Sequence, residues 1–234
     1  MTVRELQVVY EDNHLIAVNK PPGALAQKDA TGDDILADVV KLYIKEKYKK
    51  PGDVFLGIIH RLDRPTSGVT IFARTTKALE RMNKLFADQK IGKTYYCITR
   101  MRPEPLDGKL QHYLLKDNMK NVVYAYDEQS KRNEGSKLST LDYELKGDLD
   151  GYFLLKINPH TGRQHQIRVQ LSKMGWPIVG DLKYGSKEKA ENDRMIYLHC
   201  RKIDFEHPIK KEHIRIEAGF PNSHLWKKVG KLIE

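Results

Sequence analysis

Two short runs in this chain hold residues of a kind and spacing that could do chemistry. The first covers residues 60–68 and reads His60-Arg61-Leu62-Asp63-Arg64-Pro65-Thr66-Ser67-Gly68. A carboxylate between two arginines on a connector is an unusual place for charge. An aspartate, with an ordinary pKa of about 3.9, is ionised at neutral pH and can act as a nucleophile without a partner base. The plainer alternative is a surface turn with solvated ion pairs. The second run, residues 159–171, contains Pro159, Thr161-Gly162-Arg163 and His165-Gln166-Ile167-Arg168. An arginine there offers a permanently charged, planar fork of donors suited to holding a carboxylate. An exposed helix arginine is its ordinary reading.

The flanking sequence predicts what must position these groups. Residues 54–59 and 68–73 are apolar and rich in β-branched side chains, so two strands flank the aspartate connector. A hairpin is expected from 8–10 and 15–18, stopped by Asn19-Lys20-Pro21-Pro22-Gly23 because proline cannot donate to a ladder. Asp33 or Asp34 can cap a helix running to about Tyr48, with Ile35, Leu36, Val39, Leu42 and Tyr43 on one face. Thr75 or Thr76 caps a second helix whose stripe is Ala78, Leu79, Met82, Leu85 and Phe86, and which Gly92 ends. Further strands are expected over 93–98, 110–115, 122–126, 138–145, 152–157, 196–200 and 214–220. The polar stretch 127–137 reads as a mobile hairpin loop. Arg163 opens a helix with Ile167, Leu171 and Met174 facing inward, and 224–233 forms a short basic helix. Short strands with helices packed outside them make an α+β fold.

Composition narrows the function class. The 234 residues carry 41 Lys+Arg against 31 Asp+Glu, a net charge of +10, which points to a polyanionic partner. Cys97 and Cys200 sit in apolar stretches and match no zinc or redox spacing, so they read as small buried hydrophobes. The sequence opens on no charged-then-apolar leader, and no apolar run approaches the roughly 20 residues that a membrane span needs. The expectation is a soluble cytoplasmic protein that works as a monomer, away from membranes. Nine histidines include no i, i+4 pair with a carboxylate to complete a metal site, so no metal is expected. The phosphate loop and the dinucleotide-binding glycine motif are absent as well.

The first run resembles the signature of the RluA-type pseudouridine synthases, in which His-Arg-Leu-Asp, two variable positions and Thr-Ser-Gly surround the catalytic aspartate. The second run matches that family's Pro-x-Thr-Gly-Arg-x-His-Gln-Ile-Arg-Val-x-Leu pattern, Pro159 to Leu171 here. Gln170 stands where histidine is common, a departure expected to be minor. The resemblance implies the pseudouridine synthase fold, a mixed, mostly antiparallel central sheet flanked by helices. It implies a single catalytic domain over 1–234 without the S4 domain that many members carry ahead of the hairpin. It makes Asp63 the nucleophile and Arg168 the arginine that pairs with it. Tyr95, in a Lys-x-Tyr on the strand after the second helix, stacks on the target base and can assist the loss of the C5 proton. Leu198 contacts the base or packs in the core, and Arg61 occupies the space that a flipped nucleotide leaves. His60 and Arg163, in the same motifs, are candidate RNA contacts. A pocket that engulfs a base would disfavour a carboxylate's charge, and a guanidinium opposes that. Gly180-Asp181 and Tyr184-Gly185 also match the family, within a loop expected to be rigid.

The implied reaction is isomerisation of uridine to pseudouridine in structured rRNA or tRNA, with no cofactor, because the substrate supplies every atom. One rival is a non-catalytic RNA-binding module on the same scaffold, which would be marked by loss of the aspartate or the arginine. A glycosidase-like hydrolase is the other, and it would need a second carboxylate about 5–10 Å away.

Overall fold

A computed structural model describes residues 2–25 and 35–233, so the expected caps Asp33 and Asp34 lie outside the described residues. The chain divides into two compact units, Met1–Lys93 with Cys200–Pro221, and Thr94–His199 with Asn222–Glu234. The architecture is α+β, with mostly antiparallel strands and, among the described residues, four α-helices.

In the first unit β1 (Val8–Glu11) and β2 (Leu15–Lys20) pair antiparallel. Asp12 Oδ1 closes their turn by accepting the N–H groups of His14 and Leu15, each at 2.8 Å. Helix α1 (Leu36–Lys47) buries Leu36, Val40 and Ile44, an i, i+4, i+8 row. Leu42, expected on that face, is 47% exposed. Where six strand residues are expected before the aspartate, β3 (Gly57–Ile58) holds two, while β4 (Ser67–Ala73) is buried throughout. The Thr75 hydroxyl caps α2 (Thr76–Ala87) by accepting the Ala78 N–H at 3.2 Å. This helix stops before Gly92, because Gln89 takes the left-handed conformation, with φ of 56°, just past its end.

Gly92 instead opens β5 (Gly92–Thr99). With β6 (Asp107–Asp117), β7 (Val122–Tyr126), β8 (Lys137–Asp148) and β9 (Phe153–Pro159) it gives the second unit the order β5-β9-β8-β6-β7. These neighbours are all antiparallel. The stretch expected to be a mobile loop is built around Asn133, which is fully buried. Asn133 accepts from the Ser130 N–H at 2.6 Å and donates to the Glu128 carbonyl at 2.8 Å. Helix α3 (Gln166–Lys173) begins later than expected. His165 is left-handed, with φ of 52°, so Arg163 lies in the turn ahead of the helix rather than at its start. Met174, expected to face inward, ends the helix and is 38% exposed.

The chain returns to the first unit along β10 (Leu198–Glu206), which pairs antiparallel with β11 (His213–Glu217). The first unit's order is β1-β2-β4-β10, with β11 on β10 and β3 on β4. Helix α4 (His224–Ile233) follows, and its buried Trp226 packs at 5.7 Å from the Tyr197 ring and 5.9 Å from that of His199.

Candidate active site

Asp63 stands at the head of a tight turn between β3 and β4, where the Thr66 N–H donates to the Asp63 carbonyl at 3.0 Å. Lys20, the last residue of β2, is fully buried beside this turn. Its Nζ donates to the carbonyl oxygens of Pro21 at 3.1 Å, Ala24 at 2.8 Å and Arg64 at 3.0 Å. Three acceptors match the three hydrogens of an ammonium, whereas a neutral amine has only two. Burial lowers the Lys20 pKa to about 7; the negative charge of Asp63 opposes this, and the positive charge of Arg64 adds to it. Arg64 is tied in further: its carbonyl accepts the Gly23 N–H at 2.8 Å, and its Nε donates to the Gly23 carbonyl at 3.2 Å. Residues 20–24 therefore grip the turn by its backbone. In the sequence the Asn-Lys-Pro run is legible as the end of a strand, and the role of Lys20 is not.

Other residues of the motif serve the turn as well. His60 Nε2 accepts the Ile71 N–H at 3.0 Å, and its ring stacks on Phe86 with centroids 5.1 Å apart. Burial, aided by the charge of Lys93, drives the His60 pKa down to about 3, so the ring is neutral and can accept. His60 is thus half-buried and holds internal partners for both its ring nitrogen and its ring face. Arg61 is exposed and Asp63 half-buried. Gly68 has φ of +117°, and a Cβ there would be driven into the Cys200 backbone, with Cys200 N only 2.6 Å away.

In the second unit Tyr95 lies half-buried on β5 opposite Ile157 of β9. Leu198 opens β10 and is 3% exposed. The turn before α3 is organised by Gln166. Its Oε1 accepts from the Thr161 hydroxyl at 2.7 Å and the Arg163 N–H at 3.0 Å, while Nε2 donates to the Thr140 carbonyl at 3.0 Å. The Arg163 side chain is exposed. Arg168 is buried on α3, where Nε and Nη2 donate to the two carboxylate oxygens of Asp181 at 2.7 and 2.8 Å. Its Cζ lies 5.0 Å from the centre of the Tyr184 ring. Gln170, the departure from the family pattern, is fully buried and meets His112 Nδ1 at 3.1 Å and the Ser139 carbonyl at 3.2 Å. It has become part of the interior.

Cys97 and Cys200 are both buried, as their apolar surroundings predict. Among the described residues no group of three His, Cys, Asp or Glu side chains is placed to hold a metal ion. No described helix is long and apolar enough to cross a membrane.

A family model described as RNA pseudouridylate synthase matches residues 14–173. The chain is 32% identical over 217 residues to the ribosomal large subunit pseudouridine synthase C of Rickettsia felis, covering 92% of this chain and 67% of that one. To the tRNA pseudouridine synthase C of Haemophilus influenzae it is 32% identical over 229 residues, covering 92% of each. Among solved structures, human RNA pseudouridylate synthase domain containing 4 superposes with a TM-score of 0.77 at 22% identity, covering 97% of this chain and 92% of that one. That likeness shows the fold.

Proposed function

Because the chain belongs to the RNA pseudouridylate synthase family, in its RluA-type branch, we propose that Asp63 is the nucleophile with which it isomerises uridine in RNA to pseudouridine. The observation that carries this choice of residue is the turn itself. A half-buried aspartate is held on a backbone gripped through Arg64, beside the buried ammonium of Lys20. A buried cation attracts a neighbouring carboxylate and so helps to hold it in place.

The reaction balances without help from outside the substrate. The N1–C1′ bond breaks, the base turns, C5 bonds to C1′, the C5 proton leaves and N1 gains a proton. Asp63 attacks either the sugar at C1′, displacing N1 and leaving when C5 bonds to C1′, or the base at C6, leaving when the C5–C6 double bond re-forms; either way the carboxylate is regenerated. Tyr95 stacks on the base and assists loss of the C5 proton, Leu198 contacts the base, and Arg168 orients the nucleophile. Arg61 fills the space left by the flipped nucleotide. Every atom of the product comes from the uridine, so the proposed enzyme needs no metal or organic cofactor. Its proposed substrate is a structured rRNA or tRNA, drawn in by the net charge of +10 through release of counterions from phosphate. The proposed working form is a cytoplasmic monomer with one catalytic domain over 1–234.

Asp63→Asn tests the nucleophile, since the amide keeps the shape and loses the reactive oxygen. Tritium release from [5-³H]uridine-labelled RNA of a strain lacking the protein should stop, while RNA retention on filters stays within about threefold, as for loss of a group that acts only in the transition state. Substantial turnover by the variant would sink the assignment. RNA binding without turnover by the wild-type enzyme would favour the binding-module reading.

A further inference from the structure

We propose that Asp181 and Tyr184 are positioning residues for the isomerisation, fixing the plane and heading of the Arg168 guanidinium. This rests on the reading that Arg168 takes part in the reaction. Asp181 is 1% exposed and accepts from Nε and Nη2 through separate oxygens, at 2.7 and 2.8 Å. Two parallel bonds between planar groups permit one in-plane orientation, where a single contact would permit a cone. The Tyr184 ring, 5.0 Å from Cζ, lies against the guanidinium and limits its tilt. The pair also settles the charge: a buried cation faces a buried anion.

Both partners are themselves held. The Asp181 carbonyl accepts the N–H groups of Tyr184 and Ser186, each at 3.0 Å, which coils the loop around the carboxylate. Gly185, at φ of +94°, allows that coil to close. The Tyr184 hydroxyl accepts the Val123 N–H at 2.9 Å and meets His165 Nδ1 at 2.7 Å, and the Tyr184 carbonyl accepts the Ser172 hydroxyl at 2.6 Å. His165 is the residue whose left-handed turn starts the helix that carries Arg168. The contacts thus close a ring from helix start to arginine, to aspartate, to tyrosine and back to the helix start. A ring of this kind suits a guanidinium whose direction matters more than its charge.

The test uses full-length enzyme in excess over [5-³H]uridine-labelled total RNA from a strain lacking the protein. Single-turnover tritium release is read beside filter retention of the same RNA. Asp181→Asn places an amide N–H against the fork and should slow release about 10- to 100-fold, the scale of a small misplacement at a reacting centre, with retention nearly unchanged. In an Arg168→Lys background the same change should cost less than about threefold, since lysine has no fork to aim and the two effects are not additive. Tyr184→Phe keeps the ring and should stay within about threefold, whereas Tyr184→Leu should slow release about tenfold or more. The tyrosine pair carries the test alone if Asp181→Asn fails to fold by circular dichroism. An Asp181→Asn penalty equally large in both backgrounds, or equal rates for the two tyrosine variants, would overturn the proposal. Wild-type release by Arg168→Lys alone would instead remove the reading of Arg168 on which it rests.

Discussion

Lys20 Nζ donates to the carbonyl oxygen of Arg64 at 3.0 Å, so the residue that ends the first hairpin also holds the turn that presents Asp63. A lysine with no solvent exposure is costly unless each of its hydrogens finds an acceptor. Here all three do, on main-chain oxygens of residues 21, 24 and 64. The Asn-Lys-Pro run thereby joins two features that the sequence keeps far apart. One is the end of a strand, and the other is the connector on which the reaction depends.

Lys20→Met should therefore cost both stability and rate. The Arg64 carbonyl keeps the Gly23 N–H, so the loss is smaller than three whole hydrogen bonds; about 2–4 kcal/mol is expected from the buried acceptors left short. At a temperature where the variant is folded, tritium release should fall while RNA retention holds, because the turn loosens and Asp63 loses its neighbouring cation. Urea unfolding read beside single-turnover release checks this. Wild-type stability in the variant would show that the cage is not what holds the turn.

His60 gives a pH dependence whose sign follows from its burial. Its pKa is about 3 in the folded chain, against an ordinary 6.5. Below pH 6.5 the unfolded chain takes up a proton at this position that the folded chain refuses. Its contribution to stability is thus complete above pH 6.5 and is lost progressively as the pH falls from 6.5 towards 3. His60→Gln keeps an acceptor for the Ile71 N–H and cannot titrate in this range. Unfolding free energies from urea melts at pH 7, 6, 5 and 4 should fall less steeply for the variant than for the wild type. Parallel curves would mean that His60 is protonated while folded, and that its hydrogen bond to Ile71 is wrong.

What the sequence revealed and what it concealed divide along a physical line. Strands were legible where β-branched residues ran between turn signals, as in β4 and β7, although the similar run 54–59 yields only the two residues of β3. The phase of α1 was harder. Leu42 is apolar yet exposed, and Val40 and Ile44 face the core instead, a choice made by the surfaces that the helix packs against. Asp63 could be singled out because a charge in a connector is visible as a residue type. Lys20 could not, since its three acceptors are carbonyl oxygens that every residue carries. Asp181 and Tyr184 were visible as a match to the family within a loop, but their roles were not, because these depend on Arg168 in another element. The end of α2 at Gln89 was hidden for a similar reason: glycine is the usual left-handed residue, and here glutamine takes that role.

Gly68 closes the aspartate motif, and its substitution separates a need for glycine from mere tolerance of it. Its φ of +117° is a conformation that residues with a side chain rarely adopt, and a Cβ would press on the Cys200 backbone of β10. Backbone cannot rotate aside as a side-chain tip can, so either β4 or β10 must shift. Strain and overpacking together predict that Gly68→Ala loses about 3 kcal/mol or more of unfolding free energy. Gly219→Ala is the control, because a Cβ at that position meets nothing within 4 Å. It should stay within about 0.5 kcal/mol of the wild type, as surface changes usually do. The displacement in Gly68→Ala begins beside Ser67 and Thr66, at the end of the turn headed by Asp63, so tritium release should fall even at temperatures where the variant is folded. Urea midpoints for the two variants, with single-turnover release alongside, decide the matter. Equal midpoints for Gly68→Ala and Gly219→Ala would show that β4 and β10 do not approach each other as closely as the structure has them.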